Sequence, residues 1–445
     1  MSEELERVEA ELRERWPESK LDPSLDRIAA LVDILGQPQR AYPVIHITGT
    51  NGKTTTARMI ESLLHSFGLR VGRVTSPHLI SPTERIVVDG EPISGERFAE
   101  IYDDIAPYLP MVDDASEHPL SYFEVVTAMA FVAFADTPVD IAVIEVGMGG
   151  RWDATNVADG QIAVLTPIAL DHTDYLGDTI EKIAQEKAGI IKPGATAILA
   201  RQENEAANVL IRAAVEADAA VAREGLEFGV LDRKPAVDGQ LLSLQGLGGQ
   251  YDEVFLPLYG AHQAQNAALA LAAVEAFFGA GASKHIDADL VRAGFAEVRS
   301  PGRLEVVRTA PTVLIDAAHN PHGMRATVAA VTEAFSFSRL IGVVAALGDK
   351  DVRGILEALE PALESIVVTE NSSPRSLHAQ TLGDLAEDVF GEERVLVHPS
   401  LPDALEAAIT LVDESVGTIG SAGVLVTGSV VTAGDARILL RTSDE

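Results

Sequence analysis

An apolar run, Tyr42 to Thr48 (YPVIHIT), passes directly into Gly49-Thr50-Asn51-Gly52-Lys53-Thr54-Thr55-Thr56 and then into a helical pattern over Ala57 to Phe67. A buried strand, a glycine turn and a helix in that order confine this region to the opening of a βαβ unit. The same order makes a phosphate cradle. Successive backbone N–H groups and a helix N-terminus converge on one point, Lys53 can reach a nucleotide's outer charges, and the Thr54 hydroxyl can hold Mg²⁺. The general phosphate-loop pattern wants a first glycine five residues before Gly52, where Ile47 stands, so the generic match is partial. Only eight lysines occur in the chain, which makes one at this position hard to read as background.

The alternation continues. Ile141 to Val146, Ile162 to Thr166 and Thr196 to Ala200 read as further strands with helical patterns between them, which signals a mostly parallel α/β sheet. From about Leu226 to Leu258 short alternating runs broken by Asp-Gly and Gly-Gly suggest hairpins, an antiparallel appendage to the first domain. A long helical segment, AHQAQNAALALAAVEAFF, follows. At Ser300-Pro301-Gly302 a turn signal opens a second α/β series, with strands expected at Thr312 to Ile315, Leu340 to Ala345, Ser365 to Thr369, Val395 to Val397 and Gly423 to Thr427. The expected organisation is a P-loop ATPase-like domain over 1–299, with a helical N-terminal segment at 1–40, and a Rossmann-like α/β domain over 300–445.

Composition narrows the partners. Across 445 residues, 34 Lys and Arg stand against 67 Asp and Glu, a formal charge of −33, and Coulomb repulsion opposes binding to nucleic acid or to an anionic membrane. The absence of cysteine removes disulfide scaffolds, thiolate zinc sites and a Cys nucleophile together. Any metal then rests on oxygen or imidazole. The first residues, MSEELERVEAELRERW, carry no apolar h-region. The most apolar helical segments, Ala128 to Ala135 and Ala267 to Ala282, fall short of the roughly 18 to 20 residues that span a bilayer. A cytoplasmic protein is expected, with neither nucleic acid nor membrane as a partner.

Polar groups collect at strand ends, where open parallel sheets bind ligands. Glu145 closes one strand ahead of Gly147-Met148-Gly149-Gly150-Arg151-Trp152-Asp153-Ala154-Thr155-Asn156, and Asp171-His172 follows the next. Oxygen ligands with one imidazole suit Mg²⁺ or Mn²⁺ beside phosphate. Lys187, in a helical pattern ending at Gly189 to Gly194, reads from its surroundings as a solvated residue. In the second half Thr312 to Ile315 leads into Asp316-Ala317-Ala318-His319-Asn320-Pro321. Asp316 can accept from ribose hydroxyls or a base amino group, and Asn320 can alternatively cap the next helix.

Together these motifs resemble the Mur ligase superfamily and, within it, the folylpolyglutamate synthases and dihydrofolate synthases. Gly49 to Thr54 matches that superfamily's own phosphate loop. Thr75-Ser76-Pro77-His78-Leu79, Ser121-Tyr122-Phe123-Glu124, Glu145 to Asn156, Leu170-Asp171-His172, His262 to Asn266, Pro301-Gly302-Arg303 and Asp316 to Pro321 match the folate branch. The resemblance implies that Asn51, Gly52, Lys53 and Thr54 bind ATP phosphates and that Asn266, Arg303 and Asp316 contact the nucleotide. It implies two Mg²⁺ sites, with Thr54, Ser76 and Glu145 at the first. Glu145, His172 and Lys187 carbamylated to N6-carboxylysine would hold the second. Lys53, Lys187, His172 and His319 would be catalytic, His319 near the phosphate or the incoming amino acid. The pterin-bearing substrate would lie against Ser121, Tyr122, Phe123, Glu124, Trp152, Asp153 and Ala154, with help from Asp22 to Arg27. A monomer is implied.

The implied reaction joins L-glutamate to the carboxylate of dihydropteroate or a folate through an acyl phosphate made from ATP. The bifunctional form is expected, with a monofunctional folylpolyglutamate synthase as the alternative. Because residues of both halves would meet ATP, closure about Ser300 is expected to assemble the site. Cell-wall Mur ligases usually carry a whole UDP-sugar domain ahead of the phosphate loop, whereas 48 residues precede Gly49 here. A nucleotide switch would leave Asp316 to Pro321 without a role.

Overall fold

The structure, a computed structural model, describes residues 3–17, 22–281, 284–413 and 421–441. Two compact units divide the chain. Met1–Lys234, Leu241–Leu256 and Gln263–Val298 form the first, and Pro235–Gln240, Pro257–His262 and Arg299–Glu445 the second.

In the first unit eight strands make one sheet. They are β1 (Val44–Thr48), β2 (Val71–Val74), β3 (Ile86–Val88), β4 (Glu91–Pro92), β5 (Ile141–Glu145), β6 (Gly160–Leu165), β7 (Thr196–Leu199) and β8 (Ala220–Arg223), in the spatial order β4-β3-β2-β5-β1-β6-β7-β8. All neighbours run parallel except β3 and β4, which turn back antiparallel at one edge. Every residue of β1 and β5 is buried, because β-branched side chains on both faces of an inner parallel strand meet covering helices. The helices Glu3–Glu14, Asp26–Ile34, Gly95–Ile105 and Tyr122–Asp136 share one core, with Leu12, Ile28, Phe98 and Phe131 fully enclosed. The chain leaves β1 toward β2 on one side and leaves β6 toward β7 on the other. The switch point of the sheet therefore lies between β1 and β6, just past Thr48 and Leu165.

Arg73 and Glu61 form a charged pair buried inside this unit. Arg73 on β2 is 1% exposed, and its Nε donates to Glu61 Oε2 at 2.6 Å while Nη1 donates to Thr75 Oγ1 at 2.9 Å. Removing one partner leaves the other charge buried and uncompensated. Arg73→Met should cost about 3–5 kcal/mol of stability, read as a lowered urea midpoint, and an unshifted midpoint would contradict the burial of this pair.

β9 (Gly229–Ala236), β10 (Gly239–Gln245) and β11 (Gln250–Leu256) form a separate sheet in the order β11-β10-β9. Links this short permit only antiparallel hairpins. Asp238 takes the left-handed φ of 57° that the first tight turn needs. Glu275, on the helix Ala261–Phe277, holds the second turn by accepting from Gly248 N at 2.9 Å and from the Tyr251 hydroxyl at 2.8 Å.

The second unit carries β12 (Glu305–Thr309), β13 (Thr312–Ile315), β14 (Phe337–Val344), β15 (Ser365–Val368), β16 (Val395–Val397) and β17 (Ser421–Thr427), in the order β12-β13-β17-β14-β15-β16. Only β12 is antiparallel to its neighbour. Leu314, Val344, Ile355, Ile366 and Leu425 centre its core. The α/β architecture, the parallel first sheet and the small three-stranded appendage agree with the expectation from sequence. The differences are local: β2, β3, β4, β8 and β12 were not anticipated, and Val146, Thr166, Ala200, Ala345 and Thr369 lie just past their strands. Among the described residues no helix is long and apolar enough to cross a membrane.

Candidate active site

The glycine loop after β1 is tied to both neighbouring loops. Thr48 Oγ1 donates to the Gly149 carbonyl at 2.7 Å, Thr50 N to the Pro167 carbonyl at 3.0 Å, and Thr50 Oγ1 to the Ala169 carbonyl at 3.0 Å. A Cβ on Gly49 would fall 1.7 Å from Thr166 Oγ1, and one on Gly52 2.7 Å from Asn266 Oδ1. Only glycine permits these approaches. Gly52, at φ 87°, starts the helix Lys53–Ser66, so the N–H groups of its first turn follow Asn51 and Gly52. Asn266 is buried and steadied by Gln263 at 3.0 Å.

Two lysines meet at one carbonyl. Lys53 Nζ donates to Gly49 O at 3.2 Å and to Thr50 O at 3.3 Å, and Lys187 Nζ donates to Gly49 O at 2.7 Å. Lys187 is not the solvated residue its surroundings in sequence suggest. It is 4% exposed, because the helix Ile180–Lys187 ends against the loop after β5. Burial away from water, reinforced by the Lys53 ammonium, lowers its pKa to about 7 against the opposing pull of Asp171, Asp153 and Glu186. The Thr54 hydroxyl donates to Glu145 Oε1 at 2.9 Å, which brings the loop and the end of β5 together. Ser76 follows β2 at a cis bond to Pro77. His172 opens the helix Thr173–Leu176 at φ 51°, with Nε2 3.9 Å from Asp171 Oδ1.

The segment expected to face the pterin does structural work with its polar groups. Ser121 caps the helix Tyr122–Asp136: its hydroxyl accepts from Glu124 N at 3.2 Å, and Glu124 Oε2 accepts from Ser121 N at 2.7 Å. Glu124 also accepts from Arg27 Nε at 3.1 Å, and Arg27 reaches Asp22 at 2.5 Å. The Tyr122 ring lies under the Arg85 guanidinium at 4.9 Å. Phe123 is packed so closely on Gly147 that a Cβ there would meet its ring at 2.6 Å. Trp152 hydrogen-bonds Glu186, and Ala154 is buried. Asp153, also buried, accepts from Met148 N and Thr155 N, both at 2.9 Å. Its carboxyl is raised above the ordinary range by burial, with those bonds pulling the other way.

In the second unit Asp316 directly follows β13 and accepts from Leu304 N at 3.0 Å, Ala318 N at 2.9 Å and Thr327 Oγ1 at 2.8 Å. It thereby fixes the Gly302 to Leu304 turn that carries Arg303. His319 Nδ1 lies 3.0 Å from Ala317 O. Asn320 caps the helix Pro321–Ala334 by accepting from Gly323 N at 2.8 Å.

Residues 47–274 match the Mur ligase middle domain, and residues 302–430 match the Mur ligase, glutamate ligase domain. The chain belongs to the Mur ligase family. Among its relatives, the Mycobacterium tuberculosis dihydrofolate synthase/folylpolyglutamate synthase is 54% identical, over 97% of this chain and 93% of that protein. The structure is similar to that of M. tuberculosis folylpolyglutamate synthase complexed with ADP and AMPPCP, with a TM-score of 0.94 at 54% identity over 98% of each chain. Similarity extends to E. coli FolC in complex with DHPP and ADP, with a TM-score of 0.86 at 30% identity over 99% of this chain and 98% of that one. This Mur ligase is an ATP-dependent enzyme that forms amide bonds.

Within the Mur ligase fold, the chemistry of the donors at the phosphate loop fits Mg²⁺. Thr54 and Glu145 set two oxygens side by side, and among the described residues no three acidic or imidazole groups cluster to cage a metal alone. Such a partial set suits a cation that keeps waters and substrate phosphate oxygens in its shell. Lys187 as an ammonium donates to Gly49 O and has no lone pair to offer a metal. Thr48 and Thr50, which brace this Mur ligase site across more than a hundred residues of sequence, had no local signal. The Ser121 and Glu124 cap did have one, the S-x-x-E spacing of a capping box.

Proposed function

We propose that this chain adds L-glutamate to dihydropteroate and also extends reduced folates. The observation that carries the reading is the switch-point loop, where Lys53 and Lys187 share the Gly49 carbonyl beside the Thr54–Glu145 contact. A substrate carboxylate is ionised at neutral pH and a poor electrophile, so amide formation needs a leaving group. Its oxygen attacks the γ-phosphorus of ATP, the bond to ADP breaks, and an acyl phosphate results. The glutamate amine, having lost its proton, then attacks the acyl carbon, and phosphate leaves from the tetrahedral intermediate.

Two anions must approach each other in the first step. Lys53 and the N–H groups at the start of its helix offset the accumulating charge. Thr54, Ser76 and Glu145 would hold one Mg²⁺, which when bound neutralises phosphate charge. For a second ion, Glu145 and His172 would be joined by Lys187 after its neutral amine attacks CO₂ and loses a proton. The resulting carbamate supplies oxygen ligands where the ammonium had none, and a pKa near 7 leaves much of the amine free to react. Phe123 and Trp152 offer the flat apolar surfaces for a pterin, while Glu124, Arg27 and Asp153 shape the backbone around them.

The test is ATP- and Mg²⁺-dependent phosphate release with glutamate, comparing dihydropteroate, a reduced monoglutamyl folate and no acceptor, with products weighed by mass spectrometry. Glutamylation of both acceptors is expected. Product from the folate alone would reduce the enzyme to a chain extender, and phosphate release without any acceptor would refute the reading.

A further inference from the structure

His46 lies in the middle of β1, fully buried, two residues before the strand's end. A histidine there must be accounted for, since an apolar residue would fill the same space without a polar atom to satisfy. Its Nε2 lies 2.9 Å from Thr155 Oγ1. Thr155 Oγ1 in turn donates to Asp153 Oδ1 at 2.5 Å, and Asp153 Oδ2 accepts from Met148 N at 2.9 Å. The four groups form one chain from the central strand to the Gly147 to Gly150 loop.

The proton positions along it follow from what each atom can do. Both oxygens of Asp153 already act as acceptors, Oδ1 from Thr155 N and Oδ2 from Met148 N. The single Thr155 hydroxyl hydrogen is therefore directed to Asp153, and Thr155 Oγ1 must accept from His46. Burial, with help from the Lys192 ammonium, lowers the imidazole's pKa to about 3, so the ring is neutral with one hydrogen. That hydrogen sits on Nε2. The opposite assignment would place it on Nδ1, which is buried without a hydrogen-bond partner, and would leave an N–H donor unsatisfied.

We infer that His46 is a positioning residue for the acceptor substrate: through Thr155 it fixes the rotamer of Asp153, and through Asp153 the backbone of the loop on which Phe123 and Trp152 pack. The inference rests on the acceptor reading given above. It assigns His46 no contact with substrate and no proton transfer.

Thr155→Val keeps the shape and removes the relay atom, whereas Thr155→Ser keeps the hydroxyl. The valine variant should raise the acceptor KM by about tenfold, the effect of losing one buried hydrogen bond, with the KM for ATP within about twofold. The serine variant should restore the acceptor KM. Equal acceptor KM in both variants, or an ATP KM that rises in parallel, would overturn the inference. A second measurement needs no variant: ¹⁵N NMR of histidine-labelled wild-type protein should show one neutral imidazole protonated on Nε2 that does not titrate between pH 5 and 8. A proton on Nδ1, or a titrating His46, identified by its loss in His46→Gln, would equally overturn it. If neither acceptor is glutamylated the acceptor reading fails, and the NMR result still decides the proton arrangement.

Discussion

Lys53→Ala loses ligation by on the order of 10³-fold and keeps its fold. Phosphoryl transfer offers a protein little covalent chemistry, so positioning and charge neutralisation carry most of the rate. Lys53 Nζ stands over its own loop at 3.2 and 3.3 Å from two carbonyl oxygens, long contacts that a phosphate oxygen can replace. Losing them costs about 1 kcal/mol. Lys187 remains on Gly49, so the loop should hold its shape. Circular dichroism and thermal melting check the fold, and coupled ADP release checks the rate. Activity within tenfold of wild type would remove Lys53 from the phosphate site.

Lys187→Met should lose activity on the order of 10²-fold and gain stability at neutral pH. The sign follows from linkage. The amine's pKa is about 7 in the folded chain against an ordinary lysine value of 10.5, so between those values the unfolded chain binds more protons and unfolding becomes less favourable as pH rises. Lys187 thus destabilises the fold fully below about pH 7 and ceases to do so near the unfolded pKa. In CO₂-free buffer the methionine variant is expected to be more stable by about 1–4 kcal/mol at pH 7. That gap should shrink as pH rises toward 10. Bicarbonate with Mg²⁺ at pH 8 should raise the activity of wild type and leave the variant unmoved. A gap that is flat with pH would contradict the buried amine, and indifference of the wild type to bicarbonate would contradict the carbamate.

How far the sequence could be read depended on whether the determining interaction was local. Thr312–Ile315 and Val395–Val397 were legible to the residue, and Val44–Thr48 as all but the first two residues of its run, because unbroken apolar runs have few other readings. β2 was not, since Gly72 and Arg73 interrupt its pattern and Arg73 is buried only by virtue of Glu61, twelve positions away. The glycine loop was legible through its flanking strand and helix. Lys187 was misplaced as solvated because nothing in the helical pattern around it announces Gly49 O, 138 residues distant, as its partner. Ser121 and Glu124 drew attention as contacts to substrate although their spacing already spelled a helix cap. Asp153 belongs with them, committed to the backbone of its own turn.

The threonine braces have a consequence for how such an enzyme can diverge. Thr48 ties the strand before the phosphate loop to Gly149, and Thr50 ties that loop to Ala169, so the surfaces that would meet nucleotide and acceptor are parts of one frame. A substitution in the frame is pleiotropic: it alters the handling of two substrates at once and is poorly suited to tuning either. On the acceptor reading proposed above, change in acceptor preference would be channelled instead to side chains such as Phe123 and Trp152, which pack on the frame without tying its backbone.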